Sequence, residues 1–264
     1  MAFHEWETPL VMDQSEPPLR TVARIFEVVD VLWKTDGVGP AELSNHLDVP
    51  KSTAHDYLRS LEATGYAVQN SGKYHLGYQF LSVGGRLRNR NRFFQAARSE
   101  LKRLASETGE LPNIGIEENG EGVILHAVRG DNSLELGIYP GLRIPLHSNA
   151  TGKALFAYLP AEDRAEITDR NDFEQMTEQT ITDPDELGEE LETIRERGYA
   201  VSRDEQVLGM ATVSVPILVD GSIVGALSIS TPTGRLEDDA YENELVQQLQ
   251  EAANTIMVKY QYGL

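Results

Sequence analysis

The sequence contains no cysteine, which excludes a disulfide framework, a thiolate nucleophile and any cysteine-ligated zinc or iron–sulfur centre. It also lacks any uninterrupted run of about 18 apolar residues of the kind that spans a bilayer. The opening stretch MAFHEWETPLVMDQSEPPLR has acids and prolines where a signal peptide carries a basic and then an apolar run, so the chain is expected to act in the cytoplasm. No G-x-S-x-G elbow is present, and His4, His46, His55, His75, His126 and His147 show neither HExxH spacing nor i, i+4 pairing. No catalytic residue, metal or cofactor is therefore assigned. Thr151-Gly152-Lys153-Ala154 fails as a phosphate loop, because His147 and Ala154 stand where that motif needs glycine and a hydroxyl residue. Lys153 is expected to cap or solvate its helix, and Asp204-Glu205 to form a solvated acidic turn.

Positive charge is scarce too. The net charge is −19, with 23 Lys and Arg against 42 Asp and Glu, and only 6 of the 23 are lysine. Such a dense carboxylate surface suits a protein kept soluble in a high-salt cytoplasm. The scarcity is uneven. Residues 19 to 103 hold 13 Lys/Arg against 8 Asp/Glu, whereas the rest of the chain holds 10 against 34. Within the basic block residues 19 to 85 are nearly neutral, 6 against 7, so the excess sits in Arg86, Arg88, Arg90, Arg92, Arg98, Lys102 and Arg103.

With 264 residues, 40% of them hydrophobic, two domains are expected. In LRTVARIFEVVDVLWK, residues Val22, Ile25, Phe26, Val29, Leu32 and Trp33 fall on one apolar stripe of a helix. Pro40 suits the first position of a second helix. The third helix runs from about Lys51 to Thr64 and stops at Gly65. Asn70-Ser71-Gly72 then marks a hairpin. Three helices and a hairpin make a winged helix. A connector helix from about Gln79 to Ser106 follows and ends at Gly109. The remainder reads as short strands, LPNIGIEE, GVILHAV, LELGI, RIPLH, YAVS, ATVSVPILV and SIVGALSIS. Among them lie helices at ATGKALFAYL, near 184 to 197 and from about 237 to 260, giving a mixed sheet flanked by helices. The fold class is α+β: an N-terminal extension (1–18), a winged helix-turn-helix (19–85), a connector helix (86–108) and a mixed α/β domain (109–264).

In the third helix Ala54, Leu58 and Leu61 share the inward face, while Ser52, His55, Asp56 and Arg59 share the outward one. A recognition helix needs that division. Its first turn, here Lys51, Ser52 and Thr53, offers backbone N–H groups to a phosphate, and Arg or His reaches base edges. Lys73 in the hairpin and Arg86, Arg88 and Arg90 after it are expected to meet the phosphate backbone of a double-stranded operator.

The chain resembles the IclR family of transcription regulators in six ordered segments. These are LRTVARIFEVVDVL, PAELSNHLDVPKSTAHDYLRSLEATGYA, KYHLGYQFLSVG, IPLHSNATGKALFAYLP, RERGYAVSRDEQVLGMATVSVPI and GSIVGALSISTPTGRL. The resemblance implies a winged helix that dimerises on DNA and a GAF-like effector domain that mediates further association, to dimer or tetramer. It also implies an effector pocket walled by Leu136, Ile144, Ala150, Thr151, Ser202, Met210, Thr212, Ser228 and Ser230, for an organic or sugar acid. Ser228 and Ser230, two apart on a strand, face the same way, and Thr212 on a neighbouring strand can join them. Two departures stand out: members often carry Arg in place of Asp56 and Cys in place of Thr212. Two other readings stay open, a DNA-binding regulator without a ligand and a metabolite-processing enzyme with an N-terminal interaction domain.

Overall fold

The computed structural model describes residues 17–35, 37–133, 135 and 137–263, so nearly all of the expected N-terminal extension, and Leu136, lie outside the described residues. The chain divides into two compact units between Leu87 and Arg88.

In the first unit α1 (Arg20–Lys34), α2 (Pro40–Leu47) and α3 (Lys51–Ala63) precede a hairpin of β1 (Ala67–Asn70) and β2 (Lys73–Leu76). Pro40 occupies the first turn of α2 and Asp48, left-handed at φ 49°, ends it. The hairpin pairs Asn70 with Lys73, and its two turn residues, Ser71 and Gly72, both have positive φ (51° and 84°). That is the turn whose twist matches antiparallel strands. Val28, Leu32, Leu43, Leu58, Leu61 and Tyr74 form the core. The apolar stripe expected on α1 splits in two. Val28, Val29 and Leu32 are buried, whereas Val22, Phe26 and Trp33 remain exposed, Trp33 at 66%. One helix face cannot accommodate six large side chains against two short helices.

The expected single connector is two helices, α4 (Gln79–Arg90) and α5 (Arg92–Thr108). Asn91 breaks it: its backbone is extended (φ −70°, ψ 119°) and its side chain accepts from Phe94 N at 3.0 Å, capping α5. α4 buries none of its residues, while α5 buries Phe93, Phe94, Leu101 and Leu104 and closes at Gly109 (φ 71°).

The second unit is built on β3 (Leu111–Glu118), β4 (Glu121–Ala127), β5 (Arg143–Pro145), β6 (Ala200–Arg203), β7 (Met210–Val219) and β8 (Ser222–Pro232). They form one sheet in the order β5-β4-β3-β8-β7-β6. Every neighbouring pair is antiparallel, so the sheet is not mixed as expected. Two of the five pairs are set locally: Asn119-Gly120 and Asp220-Gly221 make two-residue hairpins, which join only antiparallel strands. The strand expected at LELGI is not formed at Glu135, Gly137 or Ile138, and its two leucines lie outside the described residues.

One face of the sheet packs Val213, Val215, Leu227 and Ile229 against α5 and α9 (Asp239–Tyr262). The other packs Ala200 and Ala226 against α6 (Ala150–Tyr158) and α8 (Pro184–Arg197). Asp183 caps α8, accepting from Asp185 N and Glu186 N at 2.9 and 3.0 Å. An additional helix, α7 (Ala161–Arg170), begins after Pro160 with Glu162 and Asp163 in its first turn. No described helix is long and apolar enough to cross a membrane.

Candidate nucleic-acid interface and effector site

α3 is divided as a reading helix requires. Ala54, Leu58 and Leu61 are buried, and Lys51, Ser52, His55, Asp56 and Arg59 are exposed, with Thr53 intermediate. Pro50 precedes the helix and supplies no side-chain cap. The N–H groups of its first turn therefore remain available to a phosphate oxygen. Arg59 rests on Glu62 at 3.0 Å, both on the helix surface. This is an i, i+3 pair of the weak, solvent-screened kind that a base edge can displace. Lys73 is exposed at the hairpin turn.

The three connector arginines part company. Arg86 and Arg90 are exposed, but Arg88 is half-buried with its guanidinium 4.9 Å from the centre of the Phe94 ring. Arg88 is thus held against the Phe94 ring within its own unit.

On the α6 side of the sheet, strand register lines up hydroxyls in two rows. Ser202 faces Thr212 and Thr212 faces Ser230, while Ser214 faces Ser228 and Ser228 faces Asn113. All six side chains are buried. The start of α6 closes over them: Ala150 N donates to Ser202 Oγ at 3.0 Å, and Thr151 Oγ1 lies 2.7 Å from Ser228 Oγ. Ser228 Oγ in turn donates to Ser214 Oγ at 2.8 Å, and Thr212 Oγ1 and Ser230 Oγ are 3.1 Å apart. α6 can sit this low because residue 152 is glycine; a Cβ there would come within 2.7 Å of the Pro145 and Leu146 carbonyl oxygens. Met210 continues the Thr212 face of β7 and is buried. Ile144 stands apart on β5, packed against Gly122.

Two polar atoms at this cluster, Asn113 Oδ1 and Asn149 Nδ2, have no partner among the described residues. Asn113 Nδ2 reaches Ser230 Oγ at 3.4 Å, and Asn149 Oδ1 caps α6 by accepting from Gly152 N at 2.9 Å. A buried polar atom left unpaired costs about 1–3 kcal/mol, so the two mark places where a ligand's polar atoms would be favourable. His147 nearby is buried, its Nε2 3.0 Å from Glu174 O and its ring against Phe173. Burial pulls its pKa below the usual histidine value.

Lys153 does not cap or solvate its helix. Its side chain is 1% exposed, and Nζ donates to Glu205 Oε1 at 2.8 Å and to Val201 O at 3.2 Å, with Glu190 at 3.5 Å. Nor is Asp204-Glu205 a solvated turn. Glu205 is buried, and burial raises its carboxyl above the usual carboxylate range against the pull of Lys153. Asp204 Oδ1 accepts from Gly209 N and Thr233 Oγ1, both at 2.6 Å. The pair fastens α6 to β6 and to the loop that follows it, one residue from Ser202. Among the described residues no group of three or more potential metal ligands converges.

Comparison with known proteins decides the family. The model described as "Bacterial transcriptional regulator IclR C-terminal" matches residues 87–258, and that of the IclR helix-turn-helix domain matches residues 21–71. The chain belongs to the IclR family of transcriptional regulators. Like other IclR proteins it is a DNA-binding regulator and not an enzyme. Among its relatives, a probable HTH-type transcriptional regulator ArcR of Halobacterium salinarum is 29% identical over 257 residues, 95% of this chain and 98% of that one. A crystal structure of the Thermotoga maritima IclR superposes with a TM-score of 0.80 at 30% identity, covering 92% of this chain and 99% of that one. An IclR homologue from Microbacterium hydrocarbonoxydans, crystallised with 4-hydroxybenzoate, shares the fold at 22% identity and a TM-score of 0.77, over 91% and 98% of the two chains.

Sequence reasoning about this IclR protein missed Asn113, Ser214, Lys153 and Glu205. An asparagine inside the apolar run LPNIGIEE was a usable signal for the first. The Lys153 and Glu205 partnership spans 52 residues of sequence and left none.

Proposed function

We propose that the chain is an effector-controlled regulator acting in the cytoplasm. Its winged helix (19–85) reads an operator, and its second unit, a GAF-like domain, holds a small organic or sugar acid on the hydroxyl cluster. The observation that carries the reading is the meeting of the α6 N-terminus with Ser202, Thr212, Ser228 and Ser230. A carboxylate there would lie at the positive end of a helix and accept from the hydroxyls around it. The 4-hydroxybenzoate bound by the Microbacterium homologue is a compound of that class. In the reading head Lys51, Ser52 and Thr53 seat α3 on phosphate, and His55, Asp56 and Arg59 address base edges. Lys73, Arg86 and Arg90 add phosphate contacts, with Arg88 the weakest of the set. Two copies pair through the apolar faces left open on α1 and α4, where Trp33, Leu81 and Leu87, and Leu19 just before α1, are each more than 60% exposed. Ligand would favour one arrangement of that dimer, and linkage makes the effect of ligand on DNA affinity equal to that of DNA on ligand affinity.

One observation favours a second reading, a regulator without a ligand: the hydroxyls satisfy one another, and Ser202 already takes the Ala150 N–H. A thermal-shift screen of the full chain against small carboxylates and sugar acids separates the two. Stabilisation of about 2.7 kcal/mol at a hundredfold excess over Kd, lost in Ser228→Ala, supports the effector site. A flat response across the panel supports the closed one.

A further inference from the structure

A cavity of about 350 Å3 lies in the second unit, lined by Asn89, Arg92, Gln95, Arg98, Lys259 and Tyr260 among others. It sits where the start of α5 meets the end of α9, on residues other than the hydroxyl cluster. Three cations line it in a chain whose net charge is −19. Arg92 is held in place: Nη2 donates to Tyr260 O at 2.7 Å, and the guanidinium lies 4.8 Å from the centre of the Tyr260 ring. Lys259 Nζ donates to Ser99 Oγ at 2.9 Å and Glu100 Oε1 at 2.7 Å, which leaves one of its three protons unused. Glu100 is shared between Lys259 and Arg103, the latter at 3.0 Å. Arg98 makes no hydrogen bond or ion pair with any described residue. Gln95 Nε2 is turned to the Asn89 carbonyl at 2.7 Å and completes a polar wall.

We propose that this cavity binds a phosphate-type oxyanion, separately from the effector. A fixed guanidinium, a guanidinium with no partner among the described residues and a spare ammonium proton are the donor set that multi-oxygen anions take. Arginine forks match two anion oxygens at once and lysine adds a point charge. The volume admits phosphate, pyrophosphate or a small phosphorylated metabolite. The same chemistry is present in a DNA backbone phosphate, and Arg92 follows directly on the Arg86 to Arg90 segment.

The test is isothermal titration of the full chain with inorganic phosphate and with pyrophosphate, at ionic strength matched with chloride. Arg98→Gln removes no partner among the described residues and is expected to leave the fold intact. It is expected to weaken anion binding by roughly tenfold or more, the loss of one charge-assisted pair. Arg170→Gln, on the exposed surface of α7, serves as the control and leaves binding unchanged. Repeating the titration with the chain saturated by a DNA duplex assigns the source. Phosphate binding that persists identifies a free anion, and phosphate binding abolished by duplex but restored on its removal identifies a backbone phosphate. No binding by the wild type, or equal affinity in wild type and Arg98→Gln, overturns the proposal.

Discussion

Replacing Lys153 by methionine keeps the volume of the side chain and removes its charge, leaving Glu205 buried beside an apolar neighbour. Glu205 Oε2 already lacks a partner among the described residues, and the substitution strips Oε1 of its 2.8 Å hydrogen bond as well. Removing one member of a buried pair costs about 3–5 kcal/mol. Glu205 can escape by protonating, at about 1.4 kcal/mol for each unit by which its carboxyl lies below the ambient pH. The penalty is therefore larger at pH 8 than at pH 5. At about 2–4 °C per kcal/mol for a domain of this size, the thermal midpoint of the second unit is expected to fall by roughly 6–20 °C at neutral pH. Far-UV circular dichroism of the full chain reads it, because α6, α8 and the sheet melt together. The double variant Lys153→Met with Glu205→Leu removes both charges and should regain most of the loss, since apolar pairs of similar volume replace buried ion pairs at little cost. A single-variant loss under about 1 kcal/mol, equal at pH 5 and pH 8, would refute the reasoning.

Arg59→Ala should cost about 1–3 kcal/mol on the operator and little on random duplex, as gel-shift titrations on both would show; identical losses make it a phosphate contact. Arg86→Ala and Arg90→Ala should each lower the salt slope of DNA binding by about 1, with sequence preference kept, and Arg88→Ala by less because it is held on Phe94. His147 has a folded pKa below its unfolded value because burial disfavours its charged form. Its neutral form therefore adds stability that is complete above the unfolded pKa and lost as pH falls toward the folded one. His147→Gln should flatten that part of a melting-temperature profile. The acidic surface predicts a higher melting temperature in molar KCl than in dilute salt, and a melting curve without that rise removes the high-salt reading.

Much of the fold was legible because it is set locally. Pro40, Gly65, Asn70-Ser71-Gly72, Asp183 and Asp220-Gly221 each act within a few residues, and each lies at the boundary it implied. Asn91 acts locally as well, yet the surrounding arginines read as one unbroken helix, so its role as a cap escaped notice. α7 was overlooked for a different reason: all its residues are at least partly exposed, so it has no apolar stripe to detect. The hydroxyl cluster was half legible. Two-residue strand periodicity put Ser228 and Ser230 on one face, but only the register of β3, β7 and β8 brings Asn113 and Ser214 beside them. Burial of Lys153 and Glu205 depends on α6 lying against β6, which no pattern within either segment encodes.

The central claim is that the α6 cluster and the reading helix are coupled through an effector. The direct measurement is operator affinity of the full chain, without and with a saturating amount of the carboxylate that most stabilises it. Coupling of the usual size, about 1–3 kcal/mol, predicts a change of about 5- to 150-fold, with the carboxylate's affinity changed by the same factor when operator is bound. Equal operator affinity in both conditions would contradict the account.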